Sequence, residues 1–224
     1  MSNDEKVKLV PWDSLTFGIH SYEVLEYSAE VLQQCLDNGG HYSLKVDPLA
    51  DKKLLFEYGF YYCDTLLEPF CNENNLRIYE HTDTTISKLF DKNDLIEICN
   101  GVFEYGRYHR DFNLPKLCSN IRYNKWLEQL IDENNVYGLY WQGELAGFIG
   151  HQSNKLVLHA LCEKFRGQGL SKYWWSLVCQ ELFANGNETL QSSISATNLA
   201  VLNLYSSLGF SFKNAKDVYH CLVN

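Results

Sequence analysis

Two glycines one residue apart, Gly167 and Gly169, lie between a strand-like run, Lys155 to Cys162, and a helix-like run, Leu170 to Ala184. A chain that turns from strand to helix through so short a loop brings several backbone N–H groups and a helix N-terminus to one point. Such a point binds phosphate or pyrophosphate. The glycines allow close backbone approach, and Arg166 offers a bidentate charge contact. Apolar residues at 170, 174, 177, 178 and 182 keep helical spacing, and Gly186 marks the helix end. By itself the pattern also describes a plain tight turn. There is no Gly-Lys-Ser/Thr and no third spaced glycine, so it is neither a Walker loop nor a dinucleotide fingerprint.

Length and charge narrow the setting. A chain of 224 residues suits one large domain or two small ones. On folding it would bury about 70% of the area its unfolded form exposes. With 46% apolar and 14% aromatic residues it is not a disordered chain. A net charge of −9 repels a polyphosphate backbone at long range, which speaks against general nucleic-acid binding. The start, Met1 to Val10, is charged and lacks an apolar signal core. The longest apolar stretch, Val136 to Gly150, is broken by Gln142 and Glu144, so a cytoplasmic chain without membrane insertion is expected. The eight cysteines include no Cys-x-x-Cys pair and read as small buried hydrophobes of a reducing compartment.

Patterning along the chain predicts a loop at Trp12 to Gly18, an extended run His20 to Tyr27, a helix Ala29 to Leu36, a strand Tyr42 to Val46, a short helix Leu49 to Tyr58 and an extended run Phe60 to Phe70. A polar hinge, Cys71 to Asn75, closes this βαβαβ unit, giving a first domain 1–75 and a second 76–224. The second part predicts a strand Leu76 to His81, helices Asp91 to Arg110 and Leu114 to Glu133, and strands Val136 to Trp141, Glu144 to Gly150 and Lys155 to Cys162. After the glycine loop and its helix come a strand Leu190 to Ala196, a helix Leu199 to Leu208 and a hairpin Phe210 to Val223. Leu49 to Phe60 lies on Leu199 to Phe210 without a gap, which suggests that the first unit is a degenerate half-repeat. Leu55 then stands where the second copy has Tyr205.

Downstream of the loop, Asn198 is followed seven residues later by Tyr205 and then by Gly209-Phe210. Arg166-Gly-Gln-Gly-Leu-Ser171 resembles the R/Q-x-x-G-x-G/A signature of the GNAT superfamily of acyl-CoA N-acyltransferases, with Ser171 in place of the last small residue. Asn198 to Phe210 resembles that superfamily's second acyl-CoA motif, with Val201 where Ala is common. The resemblance covers about 76–224. It implies an α/β fold with a mainly antiparallel mixed sheet flanked by helices. Within the superfamily, Trp12-Asp-x-x-x-Phe-Gly18, Gly106-Arg-Tyr-His-Arg-Asp111 and Tyr123-Asn-Lys-Trp126 look like bacterial dTDP-fucosamine N-acyltransferases, which acylate a nucleotide-linked deoxyamino sugar for surface polysaccharides.

The resemblance implies coenzyme A as co-substrate, held by Leu161, Cys162, Glu163, Arg166, Gly167, Gln168, Gly169, Leu170, Ser171 and Asn198. Main-chain groups near Leu161 would pair with pantetheine as an extra strand would. Tyr205 would protonate the departing thiolate, a step that suits a phenol of pKa about 10 against a thiol of about 8.5. The thioester is already activated, so no metal is expected. For the general base three choices stay open, since Lys155 to Leu161 holds no carboxylate: His159, His109, or water relayed to a backbone carbonyl. Between 107 and 125, five cations face the single Asp111. This concentration suggests an anion site or, equally, a solvated helix face. Arg107, Arg110, Arg122 and Tyr123 are the candidate acceptor residues, with a sugar-nucleotide diphosphate as their partner. The rivals are another amine (a protein N-terminus, polyamine or antibiotic) and a non-catalytic acyl-CoA-binding module. A homodimer is compatible with all three.

Overall fold

Residues 6–104 and 106–224 are described in a computed structural model. The charged start at 1–5, and Tyr105 within the helix expected over 91–110, lie outside them. Contacts gather into two units, each assembled from separated stretches. The first unit is Met1–Leu66, Glu104–Arg122 and Ala215–Asn224, and the second is Leu67–Phe103 and Tyr123–Asn214.

In the first unit, β1 (Val7–Leu9) pairs antiparallel with β2 (Ser21–Val24), which pairs in parallel with β3 (Gly40–Val46). Between β1 and β2 stands a helix, α1 (Pro11–Phe17), where the sequence suggests a loop. Pro11 fits the first helical turn, where a missing N–H costs nothing, and Gly18 closes it at φ 68°. Next comes α2 (Ala29–Asp37), capped by Ser28, whose Val31, Leu32 and Cys35 pack on Val24, Tyr42, Leu44 and Val46. A short helix α3 (Lys53–Glu57) adds Leu55 to the same core. From it the chain enters β4 (Tyr61–Asn72), which begins in this unit and ends in the other.

In the second unit an antiparallel series is formed by β5 (Thr84–Ser87), β6 (Val136–Trp141), β7 (Glu144–Gln152) and β8 (Lys155–Leu161). The strand expected at 76–81 is absent; the edge is taken by β5 instead. The predicted helix 91–110 is two pieces, α4 (Lys92–Cys99) and the single turn α5 (Arg107–Arg110), separated by Gly101 at φ 74°. After α6 (Lys116–Asp132) and β6 to β8 comes α7 (Ser171–Ala184). Then follow β9 (Thr189–Ser192) and β10 (Ile194–Ser195), two short strands in place of one. β8 pairs in parallel with β9, and β9 antiparallel with the end of β4. One apolar cluster joins Trp174, Val178 and Leu182 of α7 to Leu139, Ile149 and Leu156 of the strands. Another joins Leu95, Leu127 and Leu130 to Phe148, Leu158 and Ala160. The alternation of these strand residues places helices on both faces.

The last elements are α8 (Leu199–Ser207) and β11 (Ser211–Val223). The expected terminal hairpin is one strand, because Asn214 absorbs the turn-like Lys213-Asn214 at φ 51° without reversing the chain. β11 begins in the second unit and ends in the first, where Asp217 to Val223 pair with Val46 to Gly40. Each unit therefore holds a parallel strand pair whose second member is closed by a strand entering from the other unit.

The two segments aligned in sequence share local geometry. The N–H of Phe60 donates to the Leu55 carbonyl at 2.8 Å, and that of Phe210 to the Tyr205 carbonyl at 3.0 Å. Gly59 and Gly209 precede them at φ 73° and 88°. Space differs: a Cβ on Gly59 meets nothing within 4 Å, whereas one on Gly209 would collide with the Asn75 carbonyl. Gly59→Ala should cost about 1–2 kcal/mol of left-handed strain, and Gly209→Ala at least about 2 kcal/mol more. Urea unfolding of the two variants measures the difference.

Candidate active site

β8 and β9 run side by side only at their start, through Lys155↔Gln191 and Leu156↔Ser192. From Val157 onward β8 keeps its β7 partner, with Ile149 opposite His159 and Gly147 opposite Leu161, and among the described residues it pairs no further with β9. The parallel strands thus part, leaving main-chain donors and acceptors along one edge of Val157 to Leu161 without strand partners. An extended polar chain laid there would pair as a further strand.

The opening leads to the glycine loop. After Leu161 the chain makes one 3₁₀ turn, Glu163–Phe165, then passes through Gly167 and Gly169 at φ 72° and 71° into α7. No side chain caps α7. Among the described residues, the N–H groups of Gly167, Gln168, Gly169, Leu170 and Ser171 donate to no backbone carbonyl, and residues 167 to 169 are exposed. A fourteen-residue helix with a bare N-terminus preceded by free amides suits a diphosphate. Arg166 is committed within the loop, its Nε donating to the Leu161 carbonyl at 2.8 Å. Asn198 serves as the N-cap of α8, its Oδ1 accepting from the Val201 N–H at 3.3 Å. Cys162 fixes the loop base through its N–H to the Ala146 carbonyl at 2.8 Å, and Glu163 is exposed.

Tyr205 is fully buried on α8, its ring 4.8 Å edge-on from Phe210 and 6.3 Å from His159. Its hydroxyl closes no hydrogen bond. Burial pushes the phenol well above its ordinary value, with the Ser192 hydroxyl and the Trp175 indole opposing that push. The phenol therefore keeps its proton at neutral pH and gives it up less readily than a free phenol. His159 stands edge-on to Trp175 at 4.9 Å, and burial brings its imidazole down to about 4. It is neutral at pH 7 and free to accept a proton, though weakly.

His109, Arg107, Arg110 and Arg122 fall in the first unit. His109 Nε2 pairs with Asn120 Oδ1 at 2.8 Å. Arg110 reaches Asp64 at 3.0 Å. Arg122 Nε meets Asp13 at 2.7 Å while its guanidinium lies over Trp12 and Tyr108, 4.6 and 4.1 Å from the ring centres. A cavity of about 190 Å³ is lined by Asp13, His41, Lys45, Arg107, Tyr108 and Arg122 among others. Arg110 and Tyr123 do not line it; Tyr123, in the second unit, stacks on Phe103 at 4.6 Å. Of the four basic-segment candidates, the structure brings together Arg107 and Arg122.

Sequence reading misses two features. One is Asp13, which anchors both Arg122 and the Tyr108 hydroxyl, at 2.7 and 3.0 Å. Its signal was the Trp-Asp pair of the first motif. The other is a buried node in which Asp111 Oδ2 accepts from His41 Nε2 at 2.9 Å and His220 Nδ1 at 2.7 Å. Its Oδ1 accepts from the Tyr61 hydroxyl and the Asn113 N–H. Burial pushes the Asp111 carboxyl up, but the bonds from His220 and His41 outweigh it and hold the group well below the usual range. Burial brings His220 down to about 4. These three side chains are also the set among the described residues that could ligate a metal. They would do so only by giving up the two imidazole N–H bonds to Asp111.

Residues 113–220 match the family of acetyltransferase (GNAT) domains. These residues form a GNAT acetyltransferase domain. The Sphaerobacter thermophilus GCN5-related N-acetyltransferase shares the fold at TM-score 0.61 and 10% identity, over 82% of this chain and 60% of that one. This chain thus spans under two thirds of that protein. A functionally unknown conserved protein from Staphylococcus epidermidis superposes at TM-score 0.70 and 13% identity, over 100% of this chain and 94% of its own. A tandem GNAT protein of the clavulanic acid biosynthesis pathway gives TM-score 0.55 and 9% identity, over 91% of this chain and 75% of that one. No curated protein matches the sequence. No described helix is long and apolar enough to cross a membrane.

Acid should weaken the fold in two stages. His220 and His159 stay neutral in the folded chain down to about pH 4, while the unfolded chain binds those protons near 6.5. Stability is then full above pH 6.5 and declines toward pH 4, by about 3 kcal/mol for each such histidine. Asp111, whose folded value is depressed, adds a further loss below pH 4. Urea midpoints between pH 7.5 and 4 follow the first stage. Asp111→Asn should cost about 3 kcal/mol or more at pH 7.5, since it strips a buried node of its charge.

Proposed function

We propose that the chain transfers an acyl group, acetyl or a hydroxyacyl such as hydroxybutyryl, from coenzyme A to the amino group of a dTDP-linked deoxyamino sugar for bacterial surface polysaccharide. The observation that carries the acyl-transfer reading is the parting of β8 from β9 beside a buried, protonated Tyr205. In this reading residues 76–224 are the catalytic part, and 1–75 is a degenerate half-repeat in which Leu55 replaces the tyrosine.

The free amides of 167–171 grip the diphosphate of coenzyme A, and the unpaired edge of Val157 to Leu161 aligns its pantetheine arm, one N–H polarising the thioester carbonyl. The acceptor amine attacks that carbonyl carbon directly. As the C–S bond breaks, Tyr205 gives its proton to the leaving sulfur, and the proton of the new amide nitrogen leaves through His159, His109 or water.

Support for a sugar nucleotide comes from the first-unit cavity, where Arg107, Arg122 and Lys45 meet Tyr108 and Ser43, with Asp13 paired to Arg122 and Glu23 to Lys45. Cationic and hydroxyl-bearing walls suit a phosphorylated sugar. The pairing of Arg122 with Asp13 and of Arg110 with Asp64 favours a second reading, an amine acceptor without a diphosphate.

Tyr205→Phe should lower kcat by about 100-fold with acyl-CoA affinity retained; unchanged turnover would remove Tyr205 from the reaction. dTDP should raise the melting temperature of the wild-type chain, and less so that of Arg107→Ala. A chain indifferent to dTDP but stabilised by polyamines or peptides would favour the second reading.

A further inference from the structure

α7 carries two adjacent buried tryptophans with different fates. Trp174 donates its indole N–H to the Tyr140 carbonyl at 2.9 Å. Trp175, just 3% exposed, has a buried indole N–H with no acceptor. An indole N–H is a donor only, and burying it unmet costs about 1–3 kcal/mol. Beside it the Tyr205 hydroxyl is equally buried and unmet. The rings of both lie against His159, at 4.9 and 6.3 Å.

Ser192 and Trp175 each bring a hydrogen-bonding group to the Tyr205 oxygen without closing a full bond, and the Cys179 thiol, a weak donor, also bears on it. Ser192 spends its one proton on the Leu156 carbonyl, 2.8 Å away, and so presents only lone pairs. Of the two that remain, the Trp175 indole is the stronger donor.

We propose that Trp175 is a positioning residue for acyl transfer, its indole N–H donating to the Tyr205 oxygen as that oxygen becomes a phenolate. The inference rests on the reading of Tyr205 as the acid. The balance is simple: the Tyr205 O–H bond breaks, an S–H bond forms on the departing thiolate, and the negative charge moves from sulfur to the phenolate oxygen. There the waiting N–H meets it. In the resting state that donor has no full partner, so its interaction strengthens only as charge develops.

Trp175→Phe keeps an aromatic ring and removes the N–H. Replacement by benzothienylalanine, with sulfur in place of the N–H, does the same with the indole shape kept. Both should lower kcat about 10- to 100-fold, leave KM for acyl-CoA within about twofold, and move the alkaline limb of the kcat profile to higher pH. In a Tyr205→Phe background neither should lower kcat further. Full kcat in the benzothienylalanine protein, or an equal loss in both backgrounds, would overturn the role of Trp175 while leaving Tyr205 in place. Full kcat in Tyr205→Phe alone would overturn both.

Discussion

Parallel strands that part after two paired residues are the constraint on which the site depends. A sheet normally satisfies its backbone by pairing, and an interior edge left open has to meet another polar partner. Here β8 is held on one side by β7 along its length, so the opening toward β9 does not unravel the strand. The side chains that line this region come from elements on different sides of the gap: His159 from β8, Ser192 from β9, Trp175 from α7 and Tyr205 from α8. Trp175 and Tyr205 are fixed by packing in one apolar cluster, Ser192 by a bond to the main chain, and His159 by its ring contacts with Trp175 and Tyr205. Desolvation in this region raises the phenol and lowers the imidazole together.

The first unit also holds a parallel strand pair. β2 and β3 run parallel through four residue pairs with no parting, and Leu55 fills the place that Tyr205 holds in the aligned segment. Chemistry-bearing groups there collect instead around Asp13 and Asp111. The Asp111 node is costly to bury, since a carboxylate and two imidazoles leave water. Four donors on the two carboxylate oxygens repay that cost. Because its members come from β3, α5's C-cap and β11, the node ties three distant stretches of chain together.

Legibility in the sequence tracked locality. The glycine loop, α7, β6, β7 and β8 were readable because their signals, period 2, period 3.6 and glycines at turns, lie within a few residues. The loop at Trp12 to Gly18 misled because Trp12-Asp-Ser-Leu-Thr has no strong helical stripe, and the deciding marks were Pro11 and Gly18 at its ends. The predicted hairpin at the C-terminus misled because the chain passes through Asn214 at φ 51° without reversing and runs on as one strand, whose Asp217 to Val223 pair with β3.

The order of residues alone determined the glycine loop, the tyrosine seven residues past Asn198, the acetyltransferase domain and the concentration of cations between 107 and 125. Those are short-range patterns, and backbone geometry follows from them directly. Only the tertiary structure decided that Arg107 and Arg122 share a cavity while Arg110 and Tyr123 do not, that His41 and His220 clasp Asp111, and that Trp175 carries an unmet donor near Tyr205. Each of these joins residues far apart in the chain, and the pairing of strands that brings them together is a property of the whole packed core rather than of any window of sequence.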